Sequence, residues 1–185
     1  NTQSQTNAPE ETPEVNPELV RAALARFSAE QNLIGGILAG VVAAIIGAVI
    51  WAVITVVTEY QIGWMAVGVG FLVGIAVRAV GKGMSNVFGI AGAIIALVGC
   101  LLGNIFSMTY FVADAQEMDF FQVLLQLDLE IIIELLKITF SPMDLLFYGI
   151  ALYEGYKLSF RQITQEELMG AINTADRATA GGSSR

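Results

Sequence analysis

The segment from residue 31 to residue 113 contains only three charged side chains, those of Glu59, Arg78 and Lys82. Across the whole chain 14% of the residues are charged and 55% are hydrophobic, whereas a soluble domain has about 25% charged residues. Uncharged stretches of about 18 residues or more are typical of helices that cross a lipid bilayer. The composition therefore excludes an ordinary water-soluble globule and predicts an all-α integral membrane protein.

Four segments are long and apolar enough to be transmembrane helices. We predict spans at about 33–57, 62–80, 87–113 and 142–160. The link between the first two is so short that it predicts an antiparallel hairpin. The fourth span opens with a helix-start pattern, in which Ser141 is the cap, Pro142 takes the first helical position and Asp144 completes a capping box.

The predicted membrane domain covers 33–161, and two segments precede it. Residues 1–18 are rich in proline, glutamate and polar residues, which predicts a disordered arm. Residues 19–32 repeat apolar side chains at helical spacing, which predicts an amphipathic cytoplasmic helix. Asn16 and Pro17 supply the cap and the first position of this helix.

Residues 162–185 follow the last span and carry a second helix signal. Thr164 and Glu167 form a capping box, which predicts a cytoplasmic helix ending near Ile172. The remaining residues, rich in Gly and Ser from Thr179 onward, predict a disordered tail.

Between the third and fourth spans, 117–138 predicts an amphipathic helix at the membrane interface. Asp119, Glu130 and Glu134 fall on one polar face, whereas Asp128 falls on the apolar side. This acidic stripe has two interpretations. It is either the solvated face of an interfacial helix or an outward acidic vestibule that attracts cations in an oligomer.

Several polar side chains lie within or near the spans. Charged groups in hydrocarbon are costly and usually paired, so Arg78, Glu154 and Lys157 form a candidate intramembrane ion pair, with proton coupling or substrate contact as the alternative. Asn104 is a candidate polar tie between helices.

Glycines recur at a spacing of four in three of the spans. Such steps let helix backbones approach closely in lipid. The pattern fits packing within one protomer and also fits an interface between protomers. The candidate packing residues are Gly36, Gly40, Gly70, Gly74, Gly99 and Gly103.

The residue inventory argues against an enzyme. The chain has no histidine and one cysteine, Cys100, so neither a common zinc site nor a Ser-His-Asp arrangement is available. We therefore predict no catalytic residue, metal or cofactor. Nine Lys and Arg residues against 17 Asp and Glu residues also argue against a nucleic-acid partner.

The cations predict an orientation. With four spans and both termini in the cytoplasm, all the membrane-flanking cations fall on one side, as the positive-inside rule requires. If 118–140 itself crossed the membrane, the cations after the last span would face outward, so four spans are preferred. The flanking cations are Arg21, Arg26, Arg78, Lys82, Lys157 and Arg161.

Two motifs carry a resemblance to a known family. The segments IGWMAVGVGFLVGIAVR (62–78) and MDLLFYGIALYEGYK (143–157) resemble a family of small uncharacterised bacterial membrane proteins with four spans. The resemblance covers about 33–161 and implies a location in the bacterial inner membrane, without an activity or a site residue.

The functional hypothesis is a non-enzymatic packing or interaction subunit whose partners are the lipid bilayer and a second copy or another membrane protein. The alternative is a small cation channel or transporter that uses the acidic vestibule.

Overall fold

The computed structural model describes residues 16–60, 63–139 and 141–182, without the side chains of 135, 136, 138, 139 and 180–182. Every regular element within these ranges is an α-helix, so the all-α prediction is confirmed. In chain order the helices are α1 (Pro17–Ala29), α2 (Leu33–Thr58), α3 (Trp64–Gly81), α4 (Asn86–Ala115), α5 (Phe120–Gln126), α6 (Leu129–Thr139), α7 (Pro142–Leu158) and α8 (Gln165–Gly182).

The chain divides into two compact units, which we call the terminal unit and the bundle unit. The terminal unit consists of Asn1–Ala29 and Gln162–Arg185, and the bundle unit consists of Glu30–Arg161. In the terminal unit α1 packs on α8. Its buried apolar side chains are Ala23 and Phe27 on α1 and Ala171 and Ile172 on α8.

Helix α1 begins where the sequence predicts. The side chain of Asn16 accepts a hydrogen bond from the backbone N–H of Glu18 at 2.9 Å. The helix ends at Ala29, earlier than the predicted residue 32, because Asn32 is used to cap α2 by accepting from the N–H of Gly35 at 2.8 Å. Most of the predicted disordered arm, residues 1–15, lies outside the described residues.

Helix α8 starts as predicted but is longer. The capping box is formed, since Glu167 N–H donates to the hydroxyl of Thr164 at 3.2 Å and the Glu167 carboxylate accepts from the N–H of Thr164 at 3.3 Å. The helix continues past Ile172 to Gly182, over a stretch whose alanines favour a helical backbone. The end of the predicted tail, residues 183–185, lies outside the described residues.

Among the described residues, three helices are long and apolar enough to cross a membrane, namely α2, α3 and α4. They contain 26, 18 and 30 residues. At about 1.5 Å per residue, each is close to or longer than the hydrocarbon thickness of about 30 Å. Helix α7 is slightly shorter, with 17 residues.

The bundle unit consists mainly of α2, α3, α4 and α7. Helices α3 and α4 form its centre, and α2 and α7 each pack against both of them. Helices α2 and α3 run antiparallel, as the short link between them predicts. Helices α3 and α4 also run antiparallel, while α2 runs parallel to α4 and α3 runs parallel to α7. The core combines small and β-branched side chains from all four helices with three aromatic rings. Its members include Ala44, Trp51, Val69, Val73, Val77, Phe88, Ala96, Cys100, Tyr148 and Ala151.

The segment between α4 and α7 differs from the single helix predicted over 117–138. The structure has two shorter helices there, α5 and α6, separated at Leu127 and Asp128. The carboxylate of Asp128 accepts a hydrogen bond from the N–H of Ile131 at 2.8 Å. An Asp that caps the start of a helix stabilises a break at that point, which explains why its side chain did not fit the polar face of a continuous helix.

Candidate functional site

All six candidate packing glycines are buried against a neighbouring helix of the same chain. The contacting residues are Gly81 for Gly36, Val77 for Gly40, Ala151 for Gly70, Leu158 for Gly74, Ala44 for Gly99 and Trp51 for Gly103. The closest approach involves Gly70, where an added Cβ would lie 2.6 Å from the carbonyl oxygen of Ala151. These glycines therefore allow close packing within one protomer.

A further pair of glycines, Gly92 and Gly155, joins α4 to α7 and is not among the packing residues that the sequence predicts. An added Cβ at Gly155 would lie 2.7 Å from the carbonyl oxygen of Gly92 and 2.8 Å from the Cβ of Ala96. Gly92 and Ala96 are four residues apart, as are Ala151 and Gly155. A search for any two small residues four positions apart, rather than for two glycines, would have predicted this contact from the sequence.

The three ionisable residues of the candidate intramembrane ion pair are not joined by an ion pair in the described part of the chain. Arg78 and Glu154 are half-buried and Lys157 is exposed. The ammonium group of Lys157 lies over the ring of Tyr153, 5.2 Å from its centroid, in the geometry of a cation–π contact. The packing of α3 against α7 brings the backbone oxygen of Glu154, rather than its carboxylate, towards Gly74.

The ion pairs that are present lie at the end of the bundle where α3 and α7 finish. Arg161 Nη1 donates to Glu30 Oε2 at 3.0 Å, and Lys82 Nζ lies 3.9 Å from the same oxygen. Two backbone hydrogen bonds connect the same segments. The N–H of Arg161 donates to the carbonyl of Gly83 at 2.8 Å, and the N–H of Asn32 donates to the carbonyl of Gly81 at 2.9 Å. The three segments therefore meet around one carboxylate.

The acidic stripe is divided by the break between α5 and α6. Glu130 and Glu134 are exposed and line one groove of about 610 Å³ on α6, which they share with Leu129, Ile133 and Lys137. Asp119 lies at the start of α5, where its carboxylate accepts from the N–H of Phe121 at 2.9 Å. The structure thus brings two of the three acids together and uses the third as a helix cap.

A second concave surface, an apolar cleft, lies between α2, α4 and α5. Its volume is about 470 Å³. The rings of Phe106 on α4 and Phe120 on α5 meet edge to face with centroids 6.3 Å apart and connect two of its walls. This cleft forms because α5 folds back along α4 and faces α2 across the gap, a tertiary arrangement that the sequence pattern does not signal. The lining residues are Ile45, Val49, Ala52, Val53, Val56, Val57, Phe106, Tyr110, Phe120, Phe121 and Leu124.

Polar side chains meet inside the bundle where α2, α4 and α7 converge. Asn104 Nδ2 donates to the hydroxyl oxygen of Tyr148 at 3.4 Å, which confirms the predicted polar tie between helices. The Tyr148 ring also packs edge to face against Trp51, with centroids 6.4 Å apart. We call Trp51, Asn104 and Tyr148, together with the buried Thr55 and Ser107, the polar cluster.

Within the described residues, no group of three or more His, Cys, Asp or Glu side chains is arranged to hold a metal ion. Comparison of the chain with protein-family models, curated proteins and solved structures finds no match. The cleft, the acidic groove and the polar cluster are the features of the described residues that bear on function.

Proposed function

We propose that this chain is a non-enzymatic, four-span subunit of the bacterial inner membrane, that it is oligomeric, and that it acts by packing against another membrane protein or a second copy. In this proposal it is a member of the small four-span family that residues 62–78 and 143–157 resemble. The observation that carries the interaction role is the apolar cleft between α2, α4 and α5.

The cleft suits a partner helix for a reason specific to membranes. Apolar exposure alone does not drive association in lipid, because lipid tails are as apolar as the side chains. Whether two helices associate therefore depends on complementary shape and close packing. A concave gap leaves its lining atoms without van der Waals partners until another group fills it. Val49, Val53 and Val57 are 47%, 56% and 77% exposed along one side of the cleft, where a partner's side chains have access.

The six packing glycines are not the proposed interface. Their contacts are already made within the protomer, so an interface between copies has to use another surface. The proposed interface is therefore the cleft rather than the glycine faces of α2, α3 and α4.

A photo-crosslinking residue placed at Val53 tests the interaction. We expect a discrete crosslinked product in native membranes, because this position lies at the cleft. The matched control is Ile94, which is 57% exposed but does not line the cleft. Crosslinks of equal yield at both positions, or adducts to lipid alone at Val53, would contradict the interaction role.

The four-span topology rests on the packing of α7. This helix starts with the capping box at Ser141 and packs on α3 and α4 through Ala151 and Gly155. Its 17 residues rise about 26 Å at 1.5 Å per residue. Helices α5 and α6, with 7 and 11 residues, are too short to cross, and we place them at the interface.

The orientation rests on the ion-paired end of the bundle. Lys82 and Arg161 meet there around Glu30, and the positive-inside rule assigns such a cation-rich end to the cytoplasm. Both termini are then cytoplasmic.

Labelling of single cysteines from each side of the membrane tests this topology, in a Cys100→Ala background. We expect cysteines at Ser85 and Thr164 to react from the cytoplasmic side and one at Glu117 to react from the outside. A chain with three spans would place Thr164 on the side opposite Ser85, which would overturn the proposal.

A second candidate function is a small cation channel or transporter. The observation in its favour is that Glu130 and Glu134 line the same exposed groove, where carboxylates of several protomers would attract cations. Lys137 lines that groove as well and offsets part of the negative charge, so this role ranks second.

A further inference from the structure

Two polar atoms in the core of the bundle have no hydrogen-bond partner within the described part of the chain. They are Nε1 of Trp51 and Oγ1 of Thr55. Their side chains are only 1% and 3% exposed. An unsatisfied buried donor or acceptor costs about 1–3 kcal/mol, and hydrocarbon supplies no replacement partner.

The other buried Ser and Thr hydroxyls of the described residues show that Thr55 is an exception. Ser107, Thr109 and Ser159 each donate to the backbone carbonyl four residues earlier, at 2.8, 2.8 and 2.6 Å. Thr55 also lies in a helix, α2, and the backbone carbonyl four residues before it is that of Trp51. Its hydroxyl does not bond to that carbonyl, so it is oriented towards some other partner.

The two unpartnered side chains share one face of α2, where a single group can bridge them. Trp51 and Thr55 are separated by four residues on one helix, which places their side chains on the same face with Cβ atoms about 5–6 Å apart. Two hydrogen bonds of about 2.9 Å each let one group bridge a donor and an acceptor on neighbouring side chains of this face. A bridging group has to accept from the indole N–H and bond to a hydroxyl, and a water molecule does both.

The surroundings provide further polar partners. Trp51 packs beside Gly103 on the parallel helix α4, so that Thr55 lies about level with Ser107, one turn further on. The Ser107 hydroxyl hydrogen is committed to Gly103, but its oxygen still has lone pairs to offer. Buried waters typically have two to four polar partners, and the polar cluster supplies that number.

We propose that the polar cluster is a hydration site, in which one buried water molecule bridges the indole N–H of Trp51 and the hydroxyl of Thr55. The site connects the polar contacts of α4 and α7 to α2, whose Trp51 ring packs against Tyr148. The chain thus holds water inside the bundle, a property that its packing role does not require.

The competing arrangement is a contact between the indole N–H and the face of the Tyr148 ring. The edge-to-face geometry of Trp51 and Tyr148, with an interplanar angle of 84°, is of the kind in which an N–H can point at an aromatic face. The two arrangements differ in what surrounds the indole proton. A bridging water gives contact with solvent protons, whereas the ring contact gives an upfield shift and no water contact.

Magnetic resonance of the full chain in lipid nanodiscs separates these arrangements. The chain has two tryptophans, so Trp64→Phe assigns the remaining indole signal to Trp51. We expect a cross-peak between the indole proton and water in the wild type. We expect it to disappear in Thr55→Val, which keeps the shape of the side chain and removes the hydroxyl.

Two further variants keep the test decisive. Thr55→Ser retains the hydroxyl and is expected to retain the cross-peak. Thr109→Val removes a buried hydroxyl that already has a partner and is expected to leave the Trp51 signal unchanged. A wild-type indole proton without water contact, or a cross-peak that survives in Thr55→Val, would overturn the proposal.

Discussion

Arg161 Nη1 donates a hydrogen bond to Glu30 Oε2 at 3.0 Å, and these two residues are the last and the first of the bundle unit. They are 131 positions apart in sequence. Their side chains are 15% and 37% exposed, which shields the pair partly from solvent. The two ends of the bundle segment are therefore tied together by one charged contact.

Glu30→Gln is expected to lower the free energy of unfolding of the bundle by about 0.2–1 kcal/mol, the range measured for ion pairs that water still reaches. The loss should shrink at high salt, because screening weakens the wild-type pair. Thermal unfolding in mild detergent at low and high ionic strength measures both effects.

The matched control for Glu30→Gln is Glu154→Gln. Glu154 is half-buried and makes no ion pair within the described residues. Its replacement should leave the unfolding midpoint nearly unchanged and independent of salt. Equal losses for the two variants would show that Glu30 stabilises the fold in some other way.

Gly70→Ala is expected to destabilise the bundle by about 1–3 kcal/mol, the usual cost of overpacking. The added Cβ would lie 2.6 Å from the carbonyl oxygen and 2.8 Å from the Cα of Ala151. These are backbone atoms, so α3 and α7 have to move apart to relieve the clash. Unfolding of purified protein in detergent measures the loss.

Gly68 is the control for this prediction, two residues earlier on the same helix. An added Cβ there has no neighbour within 4 Å. Gly68→Ala should be neutral or should stabilise the helix by up to about 1 kcal/mol, because alanine loses less conformational freedom than glycine. A destabilisation as large as that of Gly70→Ala would contradict the assigned α3–α7 contact.

The positions of the long helices were predictable because uncharged runs and capping residues are local signals. Ser141 and Thr164 cap their helices as the sequence predicts. The charged contacts were not predictable in the same way. A pair between Arg78 and Glu154 depends on the rotation of α3 against α7, and close packing at Gly74 brings the backbone of Glu154 to that interface.

The break at Asp128 shows the limit of periodicity. On a helical wheel this acid is a misfit on an apolar face, and that misfit was a usable signal for a helix start. Treating 117–138 as one helix also grouped Asp119 with Glu130 and Glu134, although Asp119 belongs to a separate helix start. The composition of a face predicts contacts only when the helix is continuous.

Asp128→Ala is expected to destabilise α6 locally by about 0.5–2 kcal/mol, because the N–H of Ile131 loses its capping acceptor. Hydrogen exchange of the backbone amides after Ile131 should become faster, while exchange in α4 stays the same. Asp114→Ala is the control, since this exposed acid lies near the end of α4. Unchanged exchange in α6 would show that the cap does not set its start.

Cation flux in proteoliposomes separates the two proposed functions. If the chain is an interaction subunit, the wild type should leak sodium or potassium no faster than protein-free liposomes, and Glu130→Gln with Glu134→Gln should change nothing. If the groove on α6 feeds a pore, wild-type flux should be measurable and should fall in the double variant. Asp114→Asn, which changes an exposed acid that does not line the groove, controls for the loss of negative charge. We expect the first result, because Lys137 lines the groove with both glutamates and reduces its attraction for cations.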